Sequence, residues 1–217
     1  MNRINVLKLF NEEAYHSLDD ISSGLDNIPG LHHIDKVNWE LTDYKPEVHF
    51  KIAYGPNEIY LKYYVSEDYV KAEKTGINQD VYKDSCVEFF VSPADDGIYY
   101  NFEFNSIGAC LAGSGTGRHN SQRTDPAKLD GLRCLPSLGN KAFSERKGKQ
   151  EWTLTVAIPT DVFFRHGIGN LQGKMFRANF YKCGDDLTKP HYLTWNPVLS
   201  ENPDFHRPEY FGLISFD

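Results

Sequence analysis

The chain has little of what marks several protein classes. Four of its 217 residues are cysteine, at 86, 110, 134 and 183, and no two form a C-x-x-C pair. That spacing points to neither a zinc knuckle nor a redox couple; buried free thiols are the default, with a disulfide left open. Methionine occurs only at 1 and 175, and the internal one falls mid-strand, which argues against a haem ligand. No apolar run approaches the roughly 20 residues of a membrane span. Lys and Arg form no block and the net charge is −7, which argues against nucleic acid or an anionic membrane as partner. At the start, one Arg and a short apolar patch give way to Asn11, Glu12 and Glu13, where a signal peptide would still be apolar. The expected location is therefore cytoplasmic, or periplasmic or extracellular if a longer precursor was trimmed. Gly113-x-Gly115-x-Gly117 lacks the G-K-[ST] ending of a phosphate loop, and no helical pattern follows it.

Aromatic residues are abundant instead: 13 Tyr, 14 Phe and 3 Trp. This bias suits an all-β domain, and Tyr and Trp suit ligands with polar rims and apolar ring faces, such as sugars. The length fits one domain with a core that needs no staples. Two β-prone runs, Cys86–Ser92 and Tyr99–Asn105, flank the turn segment 93–97 and predict a hairpin. On its first arm Val87, Phe89 and Val91 share one face, and Cys86, Glu88 and Phe90 the other. A second hairpin is predicted from Val48–Tyr54 and Glu58–Val65, and further strands at Ile4–Leu9, Ala109–Ala112, Arg133–Leu138, Trp152–Ile158, Met175–Lys182 and Phe211–Phe216. Residues 11–21 read as a short helix or loop, 66–81 as a polar connector, 144–148 as a turn and 183–210 as one long loop. About nine to eleven short strands with almost no helical periodicity predict an antiparallel β-sandwich or jelly roll.

Candidate chemistry centres on two places. Glu88, set among aromatics with Tyr82 just ahead of its strand, could hydrogen-bond a polyol while a ring stacks on it. The same residues also fit an ordinary strand Glu on a solvated face. In the 183–210 loop, Trp195 and Asn196 precede Pro197, and a Trp on a stiffened loop is either a stacking platform or a cap on the sandwich core. Asp95-Asp96 and Asp185-Asp186 could offer oxygen ligands to Ca²⁺, or be solvated turn acids. For a hydrolase, Glu88 with a second acid such as Asp204 would have to face each other across a cleft. No G-x-S-x-G elbow is present.

Several motifs together resemble family 9 carbohydrate-binding modules, within the DOMON-like β-sandwich superfamily. They are Tyr82-x-Asp84-Ser85-x-Val87-Glu88-x-Phe90-Val91, Tyr100-x-Phe102-x-Phe104-Asn105, the Trp152–Pro159 strand, Trp195-Asn196-Pro197, and His206-x-Pro208-x-x-Phe211-Gly212-x-Ile214-x-Phe216. The resemblance covers residues 37–217 and leaves 1–36 as an N-terminal strand or extension packed on the same domain. It implies a non-catalytic domain that grips a sugar between two rings, with Glu88 as the family's glutamate and Trp195 as one ring. Tyr82 takes the other ring's place, a departure from Trp, and Asn196 is a nearby polar candidate without a secure match. Structural calcium is the one cofactor the resemblance implies, with no ligands that the sequence identifies. The implied partners are a saccharide and a separate glycoside hydrolase or transporter. The alternatives are a glycoside-acting enzyme using Glu88, and an interaction domain whose sugar site has decayed.

Overall fold

The computed structural model describes residues 1–10, 16–39 and 43–217. Among these, fourteen strands run in chain order as β1 (Arg3–Lys8), β2 (His32–His33), β3 (Lys36–Val37), β4 (Glu47–Tyr54), β5 (Glu58–Ala72), β6 (Cys86–Ser92), β7 (Tyr99–Asn105), β8 (Cys110–Gly115), β9 (Gln122–Arg123), β10 (Arg133–Pro136), β11 (Phe143–Pro159), β12 (Met175–Cys183), β13 (Tyr192–Thr194) and β14 (Gly212–Phe216). One layer has the order β10-β11-β5-β4, the other β14-β12-β6-β7-β8-β9. Strand β1 lies between them, parallel to both β14 and β4. The N-terminal segment is thus a seam of the sandwich, joining its two sheets. No helix among the described residues is long and apolar enough to cross a membrane.

Alternation sorts the side chains. Val87, Phe89 and Val91 of β6 and Tyr100, Phe102 and Phe104 of β7 enter the main core between the sheets. Phe50 of β4 stacks on Phe180 of β12 at 3.9 Å, and Phe180 in turn on Phe89 at 5.0 Å. The opposite face of β6, β7 and β12 carries a second, smaller cluster with Cys86, Phe90, Tyr99, Tyr181 and Cys183. The single α-helix among the described residues, α1 (Leu18–Asn27), is capped by the Ser17 hydroxyl, which accepts the Asp20 N–H at 3.1 Å. It buries Ile21 and Leu25, one turn apart, on Ala53, Tyr60 and Ala157.

Two expectations fail in a related way. The presumed connector 66–81 continues β5 to Ala72, and the presumed turn 144–148 belongs to β11. These polar stretches pair with each other: Arg146 lies opposite Val70 and Gln150 opposite Glu67, across two register shifts. Cross-strand pairing and the bulges sustain strand where composition alone signals a break. The 11–21 segment starts outside the described residues at 11–15, and helix begins only at Leu18.

Continuing the inward alternation of β5 past Tyr63 and Val65 brings Glu67 into the interior, opposite Lys182 of β12. Lys182 Nζ lies 2.8 Å from Glu67 Oε2, with both side chains fully buried. This is an ion contact rather than an aligned hydrogen bond; the aligned bonds of Nζ go to the Cys183 carbonyl at 3.0 Å and to His191 Nε2 at 2.8 Å. The ring's Nδ1 faces the Lys189 carbonyl at 3.0 Å, so the hydrogen bonds define a neutral Nδ1–H imidazole. Facing it are Lys182, Glu67 Oε2 at 3.8 Å and the Tyr44 ring at 5.5 Å. Burial, then the Lys182 charge, hold its pKa well below 6.5. Below that value the unfolded chain binds a proton that folded His191 refuses, so stability falls as the pH drops. The contribution approaches about 1.4 kcal/mol per pH unit and vanishes above the unfolded pKa. Denaturant titrations at pH 7 and pH 5 should therefore show a shallower acid loss in His191→Gln than in the parent; equal losses would refute the assignment.

Candidate functional site

The outer face of β6, β7 and β12 is only partly covered. The segment after β13 folds over it, with Phe205 stacked on Tyr181 at 4.1 Å. Beside that cover lies a cleft of about 420 Å³. Its floor is built by register. Glu88 stands opposite Glu103 on β7 and opposite Tyr181 on β12, and Asn101 and Cys183 flank them on the same face. Gly113 of β8 completes the floor: a Cβ there would come within 2.8 Å of Asn101 Oδ1 and 3.0 Å of Ser121 Oγ. Strand β13 pairs with β12 so that Tyr192 lies opposite Cys183, which places it on the same rim.

Tyr82 enters from a 3₁₀ turn (Val81–Lys83) latched by Asp84. The Asp84 Oδ2 accepts the Glu73 and Lys74 N–H groups and the Asn105 side-chain amide, each at 2.9 Å. Ser85 Oγ accepts the Lys71 N–H at 3.2 Å. The Asp-Ser pair of the motif is therefore a backbone latch, and only the Tyr and the Glu reach the cleft. Tyr82 and Tyr192 are half-buried, and both line the cleft.

The electrostatics of the floor are unusual. Glu88 and Glu103 are 2 % and 4 % exposed, and neither forms an ion pair among the described residues. Glu103 Oε1 accepts the Asn101 amide at 3.0 Å, while its buried Oε2 has no hydrogen-bond partner among the described residues. Glu88 Oε1 accepts the Cys183 thiol at 3.1 Å. Burial, reinforced at Glu88 by the neighbouring Glu103, raises both carboxyls above the ordinary range. Burial also lifts Asp185 at the edge to about 6. The two arginines of the rim are already engaged, Arg118 with Asp204 at 3.2 Å and Arg123 with Asp80 at 3.0 Å. His206, hydrogen-bonded to the Tyr99 hydroxyl at 2.6 Å, is pushed down to about 4 by burial and then by Arg118, and is neutral at pH 7.

The structure brings together two of the four residues singled out from sequence, Tyr82 and Glu88, and places the other two in the interior. Trp195 is 5 % exposed and sits in the core between the sheets, edge-on to Phe180 at 5.5 Å and Phe50 at 6.4 Å. Alternation explains this: Leu193 and Trp195 share the inward face of the β13 segment, while Tyr192 points out. Asn196 is spent on architecture. Its Oδ1 accepts the Asn2 N–H at 2.8 Å, its Nδ2 donates to the Tyr210 carbonyl at 2.6 Å, and its backbone is bound on both sides by Asn179. Neither residue offers a ring face or a polar atom to the cleft.

Calcium needs a shell of six to eight oxygen ligands. Among the described residues, neither Asp95-Asp96 nor Asp185-Asp186 converges with a third acidic, His or Cys ligand, and Asp96 is engaged by the Ile98 N–H and His166.

Comparison with known proteins agrees with this architecture. A family model described as "Carbohydrate-binding family 9" matches residues 25–216. A Bacteroides uniformis protein, provisionally described as carbohydrate-binding, is 41% identical over 99% of both chains, with a TM-score of 0.94. Two structures of family 9 modules from Caldicellulosiruptor kristjanssonii share the fold. The one in complex with cellotriose is 14% identical at a TM-score of 0.61, covering 99% of this chain and 93% of the other. The one in complex with glucose is 13% identical at 0.52, covering 100% and 96%. No curated protein matches.

Proposed function

The chain belongs to carbohydrate-binding family 9, and on that premise we propose that it binds a saccharide, without cleaving it, in the cleft of Tyr82, Glu88 and Glu103. The observation that carries this reading is the Glu103 Oε2 atom, buried at the cleft floor with no hydrogen-bond partner among the described residues. A buried acceptor left unpaired is costly, and a sugar hydroxyl donating to it would relieve that cost. Glu88 would accept a neighbouring hydroxyl, and Tyr82 and Tyr192 would supply apolar ring faces to the pyranose. The glucose and cellotriose held by the Caldicellulosiruptor modules make β-glucan fragments the first ligands to try. A separate glycoside hydrolase or a transporter would then handle the bound sugar.

The acid arrangement suits binding better than hydrolysis. Asp204, the second acid a hydrolase reading would use, is tied to Arg118 and accepts the His206 N–H at 3.1 Å. Glu88 and Glu103 lie side by side on one sheet, beneath a ligand, whereas hydrolysis needs carboxyls flanking the scissile bond.

Calorimetry with glucose, cellobiose and cellotriose tests this. The expected result is saturable binding with no product on long incubation. Tyr82→Ala and Glu103→Gln should each weaken it by roughly tenfold to a hundredfold, with melting curves confirming that the variants fold. Absence of binding across a broad saccharide panel would overturn the proposal, as would product release.

A further inference from the structure

Strand register concentrates soft donors at one point of the floor. Cys86 and Cys183 are direct partners across β6 and β12, and Glu88 follows Cys86 by two residues on the same face. Glu88 Oε1 lies 3.1 Å from Cys183 Sγ and 3.9 Å from Cys86 Sγ. All three donor atoms fall within 4.8 Å of one another, and all three residues are buried. We propose that Cys86, Cys183 and Glu88 form a binding site for a thiophilic divalent cation of the zinc type, beneath the saccharide cleft.

The geometry is close to what such an ion requires. Zinc–sulfur bonds of about 2.3 Å and zinc–oxygen bonds of about 2.1 Å set tetrahedral ligand separations of roughly 3.5–3.8 Å. The two sulfur–oxygen separations, 3.1 and 3.9 Å, bracket that spacing, and the sulfur–sulfur separation lies within 4.8 Å. Three protein ligands leave the fourth position open, and Cys183 and Glu88 both line the cleft, so that position faces it. The cleft is also the path of entry. Two sulfur donors select against Ca²⁺ and Mg²⁺, which prefer all-oxygen shells. Loading balances as an exchange: the cation enters, the two thiol protons and the proton of the Glu88 carboxyl, where it carries one, leave to solvent, and no electrons move. The site does not depend on the saccharide reading, since it needs only the three donors.

The test uses purified, tag-free protein kept reduced with a phosphine. Cobalt(II) serves as the spectroscopic probe, and zinc, calcium and magnesium are assayed by metal analysis after dialysis. One equivalent of cobalt with sulfur-to-cobalt charge-transfer absorption is expected, displaced by zinc and untouched by calcium. Cys183→Ala should abolish the charge-transfer spectrum, and Glu88→Gln should weaken cobalt binding at least tenfold. Should Cys183→Ala fail to fold, Cys86→Ser provides the same reading. Several results would overturn the proposal: no stoichiometric uptake by folded, reduced protein; uptake unchanged in the cysteine variants; or a Cys86–Cys183 disulfide persisting in reductant. Saccharide calorimetry on the same metal-free sample separates the two readings, because sugar binding without metal uptake removes this site alone.

Discussion

Trp195→Ala is expected to cost about 3–5 kcal/mol of folding stability, the range for emptying a buried aromatic site. Any saccharide affinity measured on the folded fraction should stay at the parent value. The indole contacts Phe50 of one sheet and Phe180 of the other edge-on, so its loss opens a void between the layers. Collapse into that void is obstructed. The Trp195 N–H is held by the Phe180 carbonyl at 2.9 Å, and its own carbonyl accepts the Asn2 side-chain amide at 2.7 Å. Gly212 shows how closely the ring is packed: a Cβ there would stand 2.4 Å from Trp195 Cζ3. Urea denaturation measures the first part of this expectation and calorimetry the second. A stable Trp195→Ala protein that no longer binds sugar would instead return the indole to the ligand. Trp195→Phe, which refills part of the void, should recover a good share of the loss.

The contrast between Trp195 and Tyr192 shows what could be read from the chain and what could not. Where alternation was strong and the strands long, the prediction held in detail: β6 and β7 begin and end where expected, and Glu88 faces away from the core as its place between Cys86 and Phe90 required. Side-chain direction along a regular strand is a local property, set by the pleat. The cleft, however, joins Tyr82, Glu88, Glu103 and Tyr192: the predicted hairpin sets Glu103 beside Glu88, but Tyr192 arrives only through pairing of β12 with β6 and with β13. Pairing partners are not a local property. Prolines on both sides made Tyr192–Thr194 look like loop, hiding the alternation of Tyr192 and Thr194 against Leu193 and Trp195 that puts the tyrosine out and the tryptophan in. The extension of β5 and β11 was missed for the same reason, since each polar arm is strand only because the other is there.

Lys182 and Glu67 were equally invisible as a pair, and they carry the second large effect. Glu67→Gln is expected to destabilise the fold by about 3–5 kcal/mol, because it leaves a fully buried ammonium without its counter-charge. The substitution isolates charge from shape. Glutamine keeps the length and an oxygen acceptor for the Trp152 indole N–H, which Glu67 Oε1 accepts at 2.8 Å. What remains around Lys182 is the Cys183 carbonyl and the neutral His191 ring, two dipoles that solvate an ammonium less well than a carboxylate does. Removing the ammonium as well, in Glu67→Gln/Lys182→Met, should restore much of the loss, so that the double variant is more stable than the single one. Chemical denaturation of the parent, both single variants and the double variant closes the cycle. A purely additive cycle would mean that each residue contributes through packing alone. A coupling of several kcal/mol would show that attraction across the sandwich offsets the cost of holding two charges out of water, and that breaking either half of the pair loosens the sheet carrying the cleft.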